Sequence, residues 1–186
     1  MAIIREWQSI LDHAGAVRAI PVDFQKAFDL INLNLLLQKL RNNNIPHCLI
    51  KLFFSYLDQR SQRVRIGTEH WPWTHLNGAM PLGSWLGPLS CLVPMDDLDV
   101  DCLIHKYVDD TTLTELLCVQ HQPSTINFFF QQLQVWVNHD NMVVNSNKTN
   151  EIVLGSPSET SHLQPIQLSA GVFSFSLFLF LCRALD

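Results

Sequence analysis

The chain has 186 residues, 47% of them hydrophobic, and a net charge of −5, with a pI near 5.8 and a mean hydropathy of +0.11. That apolar content excludes an intrinsically disordered chain, and the acidic balance excludes a uniformly basic nucleic-acid binder, because phosphate binding is driven mainly by Lys and Arg. The length suits one domain with a sizeable core, or a fragment of something larger.

In chain order, the stretch from Pro21 to Phe28 begins as a short strand with Asp23 near its end. Asn32 can cap a helix whose apolar face is Leu33, Leu36, Leu37 and Leu40, at helical spacing. Asn42-Asn43-Asn44 stops that helix, and Pro46 suits the first position of a second one carrying Leu49, Ile50, Phe53, Phe54 and Leu57. Gln62 to Ile66 alternates as a strand does, and Gly67 to Thr74 reads as the loop and return strand of a hairpin. Gly78, Pro81, Gly83, Gly87 and Pro88 mark a loop. Pro94 follows where a helix is expected, and an interior proline predicts a kink of about 3 kcal/mol or more.

Cys102 to Val108 and Thr111 to Thr114 read as two strands joined by a tight turn, with Asp109 and Asp110 at its tip. Pro123 is expected to open a third helix through Ile126, Phe129, Phe130, Leu133, Trp136 and Val137. Met142 to Val144 and Glu151 to Leu154 read as strands around a polar Asn145 to Asn150 segment, and the pattern dissolves beyond Ser156. Helices interleaved with hairpins predict an α+β fold with mostly antiparallel pairing.

Charge is uneven along the chain. Lys51, Arg60, Arg63 and Arg65 form a basic stretch beside Tyr56, while acids gather between Asp96 and Asp110. Five cysteines (Cys48, Cys91, Cys102, Cys118, Cys182) are odd in number and scattered, matching neither a disulfide framework nor a zinc spacing. A reducing, intracellular compartment (nucleus or cytoplasm) is therefore expected. No signal pattern opens the chain. The apolar run from Val172 to Cys182 falls well short of the ~20 residues that span a bilayer, so no membrane is expected as a partner.

Paired acids at a hairpin tip offer the hard oxygen donors that Mg²⁺ takes, although Asp-Asp is also an ordinary solvated turn. Four segments occur in order: Val22-Asp23-Phe24-Gln25-Lys26-Ala27-Phe28-Asp29, Gly78 to Leu89, Tyr107-Val108-Asp109-Asp110, and Asn145-Ser146-Asn147-Lys148-Thr149. Together they resemble the palm of a reverse transcriptase, most similar to those of non-LTR (LINE-type) retrotransposons, over roughly residues 19–155.

The resemblance implies a palm with an antiparallel sheet backed by helices. Residues 1–18 would be an N-terminal remnant and 156–186 a divergent tail, with fingers and thumb largely absent. It implies RNA-directed DNA polymerase chemistry with an RNA template, a DNA primer and dNTPs. Asp23, Asp109 and Asp110 would be catalytic carboxylates holding two Mg²⁺ ions, and Lys148 would sit at the leaving pyrophosphate. Gly83 and Tyr107 would contact substrate. Phe28 would be the flat gate that excludes a 2′-hydroxyl, or else a core phenylalanine. Leu82 stands where such loops carry glutamine, and that departure is compatible with an inactive relic or an interaction module.

Overall fold

The computed structural model describes residues 2–27, 31–76, 84, 86–118 and 122–166, and the backbone of 176–179. Phe28, Asp29, Leu82 and Gly83 lie outside the described residues. The chain divides into two compact units, one of residues 1–25, 98–139 and 143–186, the other of residues 26–97 and 140–142.

The first unit is built on a five-stranded sheet. Helix α1 (Ala2–Asp12) leads into strand β1 (Ala16–Val22). A Cβ at Gly15 would meet Leu117 O and Ile10 Cγ2 at 2.6 Å, so the helix turns into the strand through a position where only glycine fits. Strand β6 (Leu103–Tyr107) and strand β7 (Asp110–Leu117) form a hairpin; helix α5 (Ile126–His139), strand β8 (Glu151–Leu154), helix α6 (Pro157–Thr160) and strand β9 (Ser176–Leu179) follow. The sheet order is β6-β7-β1-β8-β9. The first four strands are antiparallel, and β9 adds to β8 in parallel. The α+β fold with a mostly antiparallel sheet backed by helices is thus the one expected.

Register decides which side chains share a face, since successive strand residues alternate. On β7, Thr111, Leu113, Glu115 and Leu117 are all buried; on the alternate face Asp110 is exposed, Thr112 and Leu116 are half-buried and Thr114 is buried. The buried face carries α5, whose Ile126, Phe130, Leu133 and Val137 are buried at helical spacing. On the other face α1 meets the edge strand, Glu6 lying 3.8 Å from His105.

The buried face also carries charge. Arg18 donates through Nε to Glu151 Oε1 (2.7 Å) and again through Nη2, and binds Ser124 Oγ (2.6 Å) and the Gln164 carbonyl (2.8 Å). Glu151 Oε2 accepts from Ile166 N, and Glu115 accepts from the Ser124 and Thr125 hydroxyls. A buried charge is tolerated only with such a full set of partners. This network ties residues 164–166 onto the sheet.

The second unit packs helix α2 (Leu33–Asn42), helix α3 (His47–Leu57) and helix α4 (Leu86–Asp96), and carries four two-residue strands: β2 (Ser61–Gln62), β3 (Arg65–Ile66), β4 (Glu69–His70) and β5 (Thr74–His75). Leu36, Leu37, Leu40, Ile50, Phe53 and Leu57 form its core. Asn32 caps α2 as expected, accepting from Asn34 N and Leu35 N. Lys39 is buried, with Asp140, Asp97 and the Pro94 carbonyl around its ammonium.

Several expectations are corrected here. Pro46 is the N-cap of α3 rather than its first residue. Pro123 does not open α5: Thr125 O accepts from Phe128 N and Phe129 N, so the helix starts three residues later, at Ile126, just after the Thr125 that the Glu115 carboxylate holds. Helix α4 runs through Pro94 to Asp96. The proline sits in its last turn, so one backbone donor is lost near the end, and its carbonyl takes Lys39. Met142 to Val144 contributes a single bridge, Phe24 to Val144, in place of a strand. The tail beyond Ser156 holds α6 and β9 where no element was expected, because an edge of the sheet was open beside β8.

Candidate active site at one end of the sheet

The hairpin register pairs Tyr107 with Asp110, leaving Val108 and Asp109 as a two-residue loop. Val108 has φ +58° while Asp109 is not among the positive-φ residues, the pattern of a type II′ turn, which matches the twist of the flanking strands. That turn normally takes glycine first. A β-branched residue there is an outlier, storing roughly 1–3 kcal/mol of strain, as backbone does at functional sites. The Tyr107–Asp110 pair fixes the tip that carries the acids.

Strand β1 pairs Val22 with Thr111 of β7. Continued by one residue, that register would set Asp23 alongside Asp110, at the roughly 4.8 Å spacing of paired strands. Asp23 is anchored from its other side. Residues Asn145 to Thr149 make one helical turn, with Lys148 N and Thr149 N both on Asn145 O. That turn shifts the β1 pairing from the frame of Arg18↔Val153 to that of Phe24↔Val144. Asn145 N donates to Asp23 O at 2.7 Å, and Asp23 N donates to Thr149 Oγ1 at 3.2 Å. Phe24, buried, sets its ring edge-on to Trp136 at 6.2 Å. The backbone of Asp23 is thus held on both flanks.

Its carboxylate is half-exposed. Asn145 Nδ2 donates to Asp23 Oδ2 at 2.7 Å, and the Lys148 ammonium stands 4.0 Å from the same oxygen. Lys148 itself is 70% exposed. Asp109 is half-buried and Asp110 exposed; Tyr107 is exposed at 78%. The structure therefore brings Asp23, Asp109, Asp110 and Lys148 to one end of the sheet, with Tyr107 on the closing pair. Phe28 and Gly83, the other expected substrate contacts, lie outside the described residues.

Among the described residues no three His, Cys, Asp or Glu side chains stand close enough to hold a metal ion. The three carboxylates form no such group, and the Asp23 carboxylate is instead met by Asn145 and Lys148. The donor set still suits a divalent cation. All three groups are hard oxygen donors, and the register continued by one residue would set Asp23 alongside Asp110 with Asp109 adjoining. Asn145 and Thr149 are the residues that single-sequence reasoning missed as individuals. The signal was there in part, since both fall inside the Asn145-to-Thr149 segment.

Residues 3–166 match the family described as Reverse transcriptase (RNA-dependent DNA polymerase). The chain belongs to the reverse transcriptase family. No curated protein matches the chain. Membership carries RNA-directed DNA polymerase ancestry, divalent metals as the normal cofactors, and nucleic-acid template, primer and nucleotides as the normal substrates. No described helix is long and apolar enough to cross a membrane.

Proposed function

We propose that this chain is the palm of a non-LTR (LINE-type) reverse transcriptase, catalysing addition of deoxynucleotides to a DNA primer 3′-hydroxyl on an RNA template. What supports the reading is the Val22↔Thr111 register, which continued by one residue would bring Asp23 alongside Asp110, with Asp109 at the adjoining turn. Asp23, Asp109 and Asp110 are the ligands that would hold Mg²⁺ (two ions). Such ions neutralise phosphate charge and lower the pKa of the attacking hydroxyl when bound.

The protein's own part is positioning. Asn145 orients the Asp23 carboxylate, and its side chain keeps one oxygen occupied while the other faces outward. Lys148, exposed and 4.0 Å from Asp23, is placed to meet the leaving pyrophosphate with a positive charge and a proton. Tyr107 offers its exposed ring beside the acids. Phe28, in the same motif as Asp23, is the proposed sugar gate. Gly83 would allow close approach of the templating base. The proposed compartment is intracellular, nucleus or cytoplasm.

A second reading, an inactive relic that persists as an interaction module, is favoured by the carboxylates not being pre-assembled. Primer extension on poly-rA with oligo-dT and Mg²⁺ separates the two. The polymerase reading expects incorporation by the wild type and none by Asp109→Asn. Equal incorporation by both proteins would end it.

A further inference from the structure

Helices α2 and α3 are joined by residues 43–46 alone. Asn44 turns the chain at φ +54°, and Ile45 N donates back to Leu40 O at 3.1 Å. A connection that short sets two consecutive helices side by side. Along one side of the pair lies an open cleft of about 550 Å³. Leu37 and Arg41 line it from α2, and His47, Ile50, Lys51 and Phe54 from α3. The spacing on each helix is that of a single face.

The floor of the cleft is apolar, with Leu37 and Ile50 only 5% and 4% exposed, and Phe54, 44% exposed, stands as a wall. Arg41, His47 and Lys51 are exposed. Among the described residues no carboxylate forms an ion pair with any of these three. Arg18 and Lys39, by contrast, are paired with Glu151, Asp97 and Asp140. The two remaining lining residues, Asn34 and Gln38, are neutral, so the cleft holds no acid. Position along the helices also separates charge from hydrocarbon. Arg41 and His47 flank the turn, Lys51 lies about 6 Å further along α3, and Phe54 lies about 10 Å along it.

We propose that this cleft binds a small organic carboxylate with an apolar aryl or alkyl body. The acid group sits among Arg41, His47 and Lys51, and the body lies over Leu37 and Ile50 against Phe54. Small-molecule sites are clefts of ~300–1,000 Å³, mostly apolar, with a few placed polar groups. The Arg41 guanidinium offers the planar fork that matches a carboxylate. An apolar floor beside a single cationic end suits one acid on a hydrocarbon body better than a sugar carrying several phosphates. The cleft is built wholly from residues 34–54 and uses no part of the acid site, so the inference does not rest on nucleotide transfer.

The test is titration of the full chain with phenylbutyrate, followed by heteronuclear NMR and calorimetry. Saturable binding is expected, with amide shifts centred on Arg41, His47, Ile50 and Lys51. Phenylbutyramide, which lacks the charge, should bind roughly tenfold more weakly, and acetate, which lacks the body, at least as weakly as the amide. Arg41→Gln and Lys51→Gln should each weaken phenylbutyrate roughly two- to fivefold, as exposed ion pairs do. Phe54→Ala should weaken it roughly two- to tenfold. Arg65→Gln, which removes an exposed cation outside the cleft, should bind as the wild type does. All four substituted positions are exposed, and far-ultraviolet circular dichroism checks that the variants fold. Equal affinity for the acid and its amide overturns the proposal, as does no saturable binding at millimolar phenylbutyrate. Losses in Arg65→Gln equal to those in Arg41→Gln would reduce the effect to nonspecific charge and overturn it too. Displacement of phenylbutyrate by an equal concentration of dTTP would overturn it in favour of a nucleotide contact.

Discussion

The two ends of β1 and β7 carry charge on opposite terms. Toward one end, Arg18 is paired with Glu151 and Glu115 is held by Ser124 and Thr125, and the arginine and Glu151 are only 2% and 1% exposed. Bonds to Ser124, the Gln164 carbonyl and Ile166 N complete the set. Toward the other end, five residues on along each chain segment, the register continued by one residue would set Asp23 alongside Asp110, next to Asp109. There, among the described residues, Asn145 and an exposed Lys148 face the Asp23 carboxylate. A charge that serves the fold is buried and fully partnered, because an unpaired buried ion is too costly. The acids of the candidate site stay near solvent, where fewer partners are needed. The same sheet does both, and five residues separate the two regimes.

The sharpest way to break this contrast is Glu151→Ala. Leaving Arg18 buried and unpaired should cost about 3–5 kcal/mol, read by urea unfolding. A loss under about 1 kcal/mol would mean that water reaches the arginine and that the two ends do not differ.

At the acid end the effects on stability should be far smaller. Val108→Gly removes the positive-φ strain of roughly 1–3 kcal/mol and adds about 0.5–1 kcal/mol of chain entropy cost. A net gain near 1 kcal/mol is expected, together with slower incorporation as the tip loosens. If the variant is less stable than the wild type, Val108 is not strained. Asn145→Ala should cost about 1 kcal/mol, because its bond is to a half-exposed carboxylate while its backbone tie to Asp23 survives. Asp109→Asn should change stability by about 0.5 kcal/mol or less while removing incorporation, which separates a chemical role from a structural one.

The smallest effect is chemical. Burial, helped by the nearby Glu115 and Asp101 carboxylates, pushes the Cys102 thiol up to about 11. It therefore stays protonated, and thiolate appears only as the pH rises toward that value. Mass spectrometry after iodoacetamide treatment near neutral pH should find Cys48 and Cys118, both exposed, labelled well before Cys102. Early labelling of Cys102 would show that its strand opens.

Much of this was legible along the chain because it is local. The Asn32 cap lies within three residues of the amides it serves, and the Tyr107-to-Asp110 hairpin closes on itself. The acids of the site, the lysine and the order of the motifs were readable for the same reason. Pro123 misled because a remote carboxylate, Glu115, holds Thr125 and starts α5 there. The apolar faces of α2 and α3 were readable from their spacing, but the cleft at Arg41 and Lys51 was not, since it exists only once the two helices lie side by side.

By itself, then, the sequence determined the family and the α+β class and singled out three candidate carboxylates, all carried by short-range spacing. Only the tertiary structure decided which charges are buried in pairs and which stay near solvent. Arg18 meets Glu151, and Asp23 meets Asn145, across separations of 133 and 122 residues. No periodicity encodes such pairs. They arise where strand registers bring distant backbone into line, and the cost of burying an unpaired charge selects the partners that remain.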